Sequence, residues 1–214
     1  MKLTVHTFVS LDGVIQGPGA PEEDPSDGFT RGGWLVPFGP EHWGRVVDSW
    51  FARLDAFLLG RKTFELMRSY WPDVTDPDDA VAAVYRTHPK YVLSSTLTDP
   101  GWAGSTVLSG DLLTEVGRLK EQSGGELQVH GSATLIRSLH EAGLVDTYRM
   151  LQFPVVVGQG KRLFTHPGAA AGLEISSAET LPGGIVALEA EVVRRGEPEV
   201  GAFALSSDGR EVIR

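Results

Sequence analysis

Arg61 and Lys62 stand where cations are least expected, directly after the apolar run Ala56–Leu59 and Gly60, where a strand gives way to a helical pattern. A helix start carries unpaired backbone N–H groups and the positive end of the dipole, so two cations there are unfavourable unless an anion arrives. Two further places share that character. Ser94-Ser95 interrupts the strand-like KYVLSSTL, and Gly131-Ser132-Ala133-Thr134 follows the strand-like GELQVHG. In an open α/β sheet, ligands bind outside the carboxyl ends of the strands, and each of these motifs sits at such an end. Gly60 and Gly131 would let the backbone approach a ligand, and Thr63 and Thr134 put hydroxyls beside helix N-terminal amides that suit phosphate. Two such turns suggest a pyrophosphate spanning them, with Arg61 and Lys62 charging a further phosphate and Ser94 and Ser95 as neutral donors. That is the chemistry of a dinucleotide with an extra 2′-phosphate, NADPH.

Each motif alone is an ordinary turn or cap, and it is their combination that carries the reading. The spacing fits no other phosphate motif. A Walker A loop needs Gly at position 55 and Lys directly after Gly60; the chain has Asp55 and places Lys62 one residue late. GSATLI lacks the later glycines of a Rossmann fingerprint and GQGKRL lacks its third.

The elements that must position these residues are legible in outline. Residues 2–9 read as a strand closed by SLDG, and the Gly-, Pro- and acid-rich stretch 17–34 as a long functional or disordered loop. Trp43, Val46, Val47, Trp50 and Leu54 recur at spacings of three and four, predicting a helix over 41–54. A buried strand over 56–59, a helix over 63–70, an acidic loop with a weak helix, and strands over 90–97 and 105–110 follow. A helix over 112–122, a strand over 125–131, and a helix from 132 closed by Gly143 continue the alternation. Beyond residue 145 strands dominate: a mixed segment broken at Pro154, then a hairpin around Pro182-Gly183-Gly184. That order predicts an α/β domain with a mostly parallel sheet and antiparallel C-terminal strands.

Composition narrows the function classes. The chain has 214 residues, 41% of them hydrophobic, and is read as one domain. A formal charge of −9 and an isoelectric point near 5.1 argue against nucleic acid as a partner. Without cysteine there is no disulfide, thiolate metal site, Cys nucleophile or Cys-containing zinc deaminase signature. No leader pattern opens the chain and no apolar run of about 18 residues occurs, so no membrane partner and a cytoplasmic location are expected.

The ordered set SLDGVI, LLGRKTFE, VLSS and VHGSATLIRSLHEAGLVDTYRMLQFPVVVGQGKRLF resembles the dihydrofolate reductase-like superfamily. Within it, the chain is most similar to stand-alone proteins akin to the reductase domain of the bifunctional riboflavin-biosynthesis deaminase/reductase. The resemblance spans residues 1–195 and implies a mixed, mostly parallel sheet flanked by helices, extended NADPH and a homodimer. It implies that Ile15 touches the nicotinamide on a loop held by Asp12 and Gly13. Gly60, Arg61, Lys62 and Thr63 then form the turn where a cation reads the 2′-phosphate and Thr63 faces the pyrophosphate. Ser94 and Ser95 fall beside the adenine ribose, and Gly131, Ser132, Ala133 and Thr134 under the pyrophosphate and nicotinamide. The family's first-helix acid is missing: the equivalent position falls near Gly44, which puts folate as substrate in doubt.

A reduced C=N or C=O needs a proton, for which Asp48, His42, Glu41 or a water are the candidates, Asp48 first. His6 and His130 read as core histidines, His140 and His166 as surface ones, and no metal-ligand spacing occurs. Trp34 and Phe38 would either cover a planar substrate or pin the long loop; Gly158–Arg162 would approach the substrate end or a partner, or form a solvated turn. The expected protein is an NADPH-dependent reductase of a small planar heterocycle, pterin- or pyrimidine-like, or similar conjugated molecule. The rival readings are a non-catalytic nucleotide, pterin or flavin-binding module that keeps the cleft, and a purely structural dimerisation domain. Residues 196–214 are read as an extension forming a small hairpin or a flexible tail.

Overall fold

The computed structural model describes residues 1–165 and 167–213; His166 lies outside the described residues. Its centre is β1 (Lys2–Ser10), a strand buried along nearly its whole length, as a strand covered on both faces must be. On one side it pairs in parallel with β5 (Glu126–His130), beyond which come β2 (Leu54–Gly60), β3 (Lys90–Leu93) and β4 (Ser105–Leu108), all parallel. On the other side β1 pairs in parallel with β6 (Thr147–Phe153). The hairpin β7 (Ala171–Thr180) and β8 (Val186–Arg195) completes the sheet antiparallel, in the order β4-β3-β2-β5-β1-β6-β8-β7. The mixed sheet with antiparallel C-terminal strands is the one expected. β9 (Phe203–Leu205) and β10 (Glu211–Ile213) pair with each other in a two-stranded sheet of their own.

Five helices cover the sheet. α4 (Leu112–Lys120) and α5 (Ala133–Glu141) lie on one face, where Val116, Leu119, Leu135 and Leu139 pack with Leu3, Val5, Leu127 and Val129. Each fully buried aliphatic side chain there contributes about 1.5–3 kcal/mol. The opposite face carries α1 (Pro40–Phe51), α2 (Arg61–Tyr70) and α3 (Ala80–Thr87), built around Trp50 and Phe153 and around Phe51, Phe57, Phe64 and Tyr85.

Several boundaries differ from the expected ones, and two of the differences have plain physical reasons. α1 ends at Phe51, before residue 54, because Leu54 is drawn into the sheet opposite Glu126. β3 ends at Leu93 because the Ser94 hydroxyl accepts from the N–H groups of Thr96 and Leu97 and turns the chain there.

Candidate active site

A cleft of about 900 Å³ opens at the carboxyl ends of β1, β2 and β5, under α1 and against the starts of α2 and α5. Its first wall is the long loop, which is ordered. Gln16, buried to 3%, donates from Nε2 to the carbonyls of Asp24 and Ser26 and accepts from the N–H of Lys161. Trp34 Nε1 donates to the Gln16 carbonyl at 2.9 Å. Ile15 lines the cleft and donates its N–H to the Lys161 carbonyl. Asp12 fastens this loop by accepting from the Ser10 hydroxyl and from the N–H groups of Val157 and Gly158. Burial opposes its ionisation, but these hydrogen bonds outweigh it and hold Asp12 down to about 2.

The second wall is made where two strand-to-helix turns meet. Gly60 lies so close to the Ser132 hydroxyl that a Cβ there would collide with it, and a Cβ on Gly131 would stand 3.6 Å from Thr63 Cγ2. A Cβ at Gly60 would force the Ser132 hydroxyl to turn away. Gly131 and Ser132 both take positive φ, 67° and 65°, and Ser132 is one of two such non-glycine residues in the described chain. A serine in the left-handed region costs about 1–2 kcal/mol. At that dihedral its hydroxyl does not cap α5, and Gly60 leaves α2 without a side-chain cap as well. Lys62, Thr63 and Gly131–Thr134 all line the cleft beside these open helix starts.

Arg61 turns elsewhere. With Ser94, Ser95, Thr96, Ser109 and Gly110 it lines an adjoining hollow of about 390 Å³. The two expected phosphate cations are therefore divided, Arg61 in the hydroxyl-lined hollow and Lys62 in the main cleft. In this conformation Arg61 is paired with Glu65 at 3.0 Å. Ser109 and Gly110 escaped the sequence reading because the strand was expected over 105–110, whereas β4 ends at Leu108 and leaves them at its carboxyl end.

Asp48 lines the cleft as an exposed side chain, with Gly44 a turn before it on α1. Trp34 and Phe38 do not line it. Both pack edge-on against Phe153, at 5.7 and 5.2 Å between ring centroids. That packing accords with the loop-pinning alternative, Trp34 buried and Phe38 half-buried against Phe153 on β6. Lys161 reaches the cleft but pairs with Asp24 at 2.8 Å, and Arg162 donates to the Asp12 carbonyl.

Both histidines expected in the core also line the cleft. His6 and His130 are register partners on β1 and β5, with rings stacked at 4.8 Å and 13°; Phe51 continues the stack on His130 at 4.9 Å. Behind them runs a buried polar chain. Arg149, 3% exposed, meets Glu126 at 2.6 and 2.8 Å and Glu189 at 2.8 Å. Gln128 links Glu126 to His130. Burial keeps both imidazoles neutral, lowering His6 well below the ordinary value and His130 to about 3. His6 Nδ1 is buried without a partner, at a cost of about 1–3 kcal/mol for such a group. Among the described residues no cluster of three or more metal-ligating side chains occurs, and no helix is long and apolar enough to cross a membrane.

Comparison with known proteins places the chain in a family and shows its fold in solved structures. The profile of the RibD C-terminal domain matches residues 1–187. The chain is 30% identical over 191 residues to the uncharacterized protein YyaP of Bacillus subtilis (strain 168), covering 86% of this chain and 92% of that one. A solved structure from Shewanella sp. PV-4, titled for riboflavin biosynthesis, superposes with a TM-score of 0.65 at 21% identity, covering 91% of this chain and all of that one. A pyrimidine reductase-like protein from Corynebacterium diphtheriae NCTC superposes at 0.62 and 13% identity, over 90% and 92%. The structural likenesses establish the fold.

Proposed function

The chain belongs to the RibD C-terminal domain family, and on that premise we propose that it is an NADPH-dependent reductase of a small planar, conjugated ring. The observation that carries the reading is the meeting of two helix starts without side-chain caps, those of α2 and α5, beside a serine-lined hollow containing Arg61. Open N–H groups at Thr63 and at Ala133-Thr134 suit a pyrophosphate, and Arg61 with Ser94, Ser95 and Ser109 suits a phosphorylated ribose. Bound there, NADPH supplies the hydride. Ile15 closes the nicotinamide end, and the loop strapped by Asp12 and Gln16 keeps water from it. The reductase names borne by the structural relatives accord with this reading.

The proton is assigned to Asp48 or to water, since Asp48 lines the cleft while His42 and Glu41 do not, and burial keeps His6 and His130 neutral. That same neutrality favours the second reading, a binding module that retains the cofactor cleft without turnover. A homodimer belongs to the proposal too: β7 is an edge strand, and Ile175 and Val193 on the terminal hairpin are 60% and 59% exposed. Light scattering on the purified protein tests it, a monomer at working concentration excluding it.

The deciding experiment is a fluorescence titration with NADPH and with NADH, using the tryptophans and the nicotinamide as reporters. Saturable NADPH binding with much weaker NADH binding is expected. Absence of saturable binding by either cofactor refutes the proposal. NADPH oxidation in the presence of candidate rings then separates the enzyme from the binding module.

A further inference from the structure

Glu23, Asp24, Pro25 and Ser26 form one wall of the cleft, and much of what holds them belongs to their own loop. Glu23 accepts from the N–H groups of Gly19 and Ala20, and the Ser26 hydroxyl donates to Asp24. Among the described residues only two side chains from outside the loop hydrogen-bond to this wall. Gln16 Nε2 donates to the Asp24 and Ser26 carbonyls, each at 3.0 Å. The Lys161 ammonium donates to the Asp24 carboxylate at 2.8 Å and to the Ser26 hydroxyl, with the Asp27 carboxylate at 3.6 Å.

Both routes pass through residue 161, because its N–H donates to Gln16 Oε1 at 2.8 Å. Its carbonyl in turn accepts from the Ile15 N–H at 2.9 Å. The next two residues anchor it: Arg162 Nε donates to the Asp12 carbonyl and the Leu163 N–H to the Gly13 carbonyl. One residue therefore joins Ile15, at the end of the cleft assigned to the nicotinamide, to the wall opposite. The main-chain ties survive any substitution at position 161, whereas the tie to Asp24 and Ser26 needs the ammonium. With side chains 24% and 31% exposed, the Lys161–Asp24 bridge adds little to global stability, and its effect is local.

Resting on the reductase reading, we propose that Lys161 is a positioning residue whose ammonium clamps the 23–26 wall over the cleft while its peptide holds Ile15, so that the bound nicotinamide is shielded from water only while the clamp is closed. A water-excluded hydride donor is what such a closure provides. A purely electrostatic role has another signature. If Lys161 served only to offset the acids of the cleft towards an anionic cofactor, removing Asp24 would tighten NADPH and leave the shielding intact.

The test is acrylamide quenching of the nicotinamide fluorescence of bound NADPH, run beside the NADPH titration. In the unaltered protein the bound nicotinamide should be quenched about threefold less than free NADPH. Lys161→Met and Asp24→Ala should each bring quenching at least halfway back to the free value and speed NADPH release by about tenfold, with little change in melting temperature. Lys161→Arg keeps a cation that can meet the carboxylate and should restore the shield. The double variant Lys161→Met with Asp24→Ala should be no more exposed than either single one, since the same bridge is removed once. Saturable NADPH binding by each variant reports that it is folded. The proposal is overturned by unchanged shielding in Lys161→Met or Asp24→Ala, by an arginine variant as exposed as the methionine one, or by a bound nicotinamide in the unaltered protein as quenchable as free cofactor. Any of these beside saturable NADPH binding sinks the clamp and spares the reductase reading, and absence of NADPH binding sinks both.

Discussion

The starts of α2 and α5, which meet each other at the cleft, differ from the starts of α3 and α4. α3 starts at Asp79, whose carboxylate accepts from the Ala82 N–H at 2.8 Å, and α4 at Asp111, which accepts from the Thr114 N–H at 3.1 Å. α2 starts at Gly60 and α5 at Ser132, neither making a side-chain cap, and α2 adds Arg61 and Lys62 to its positive end. An N-cap is worth about 0.5–2 kcal/mol. The chain makes that stabilisation at α3 and α4 and forgoes it at α1, whose N-cap is Gly39, and at the two starts that touch each other, adding a strained serine at one of those. Strain and unsatisfied donors gathered in one place are the mark of a site prepared for an anion.

The harshest way to break the contrast is to give α5 an acid of its own. Ser132→Asp places a carboxylate beside Gly60, where the pyrophosphate is assigned. At about 4 Å and an effective dielectric near 20 the repulsion approaches 4 kcal/mol before screening. NADPH affinity should fall by about two orders of magnitude or more, while stability changes by less than about 1 kcal/mol because Asp tolerates the left-handed region better than Ser. Isothermal titration together with thermal melts reads both, and undiminished affinity would remove the helix starts from the site. Next in size is Arg61→Ala. It should weaken NADPH by roughly 1.5–3 kcal/mol, the scale of a charge-assisted hydrogen bond, and leave NADH nearly unchanged. Equal losses for the two cofactors would mean that Arg61 does not read the 2′-phosphate.

Much of this was legible in the sequence because it is local. A short apolar run followed by Gly-Arg-Lys-Thr announces both a buried strand and an odd helix start, and Ser94-Ser95 and Gly131–Thr134 repeat the theme. What pairs with what across the sheet is not local. His6 and His130 sit on β1 and β5, which are far apart in the chain, so their stacking at the cleft floor left no trace in spacing. Trp34 and Phe38 were ambiguous for the same reason. An aromatic after a Gly-Pro loop suits a ligand or a core equally, and Phe153, which settles the matter, lies on β6. The division of Arg61 from Lys62 depends on helical rotation: neighbours on a helix point about 100° apart, so consecutive cations cannot serve one hollow alike.

The capped side of the contrast gives a smaller effect. Asp111→Ala should cost about 1 kcal/mol of stability, seen as a lowered urea midpoint, and should leave NADPH affinity unaltered. Asp79→Ala should behave alike. A change in NADPH affinity in either variant would erase the distinction between the starts of α2 and α5 and those of α3 and α4.

The smallest expected effect is the most discriminating, because two quantities should move in opposite directions. Glu65 and Arg61 form an exposed i,i+4 pair, with side chains 37% and 41% exposed, worth about 0.3–0.5 kcal/mol. Arg61 must leave Glu65, or share itself, to meet a phosphate in the serine-lined hollow. Glu65→Gln removes the competitor and the nearest negative charge. The variant should therefore be less stable by a few tenths of a kcal/mol and yet bind NADPH about two- to threefold more tightly, with NADH unchanged. The gain should shrink as salt is added, since a screened carboxylate competes less. Weaker NADPH binding would instead make Glu65 the group that aims Arg61 into the hollow, and the pair, rather than the arginine alone, would be the reader of the phosphate.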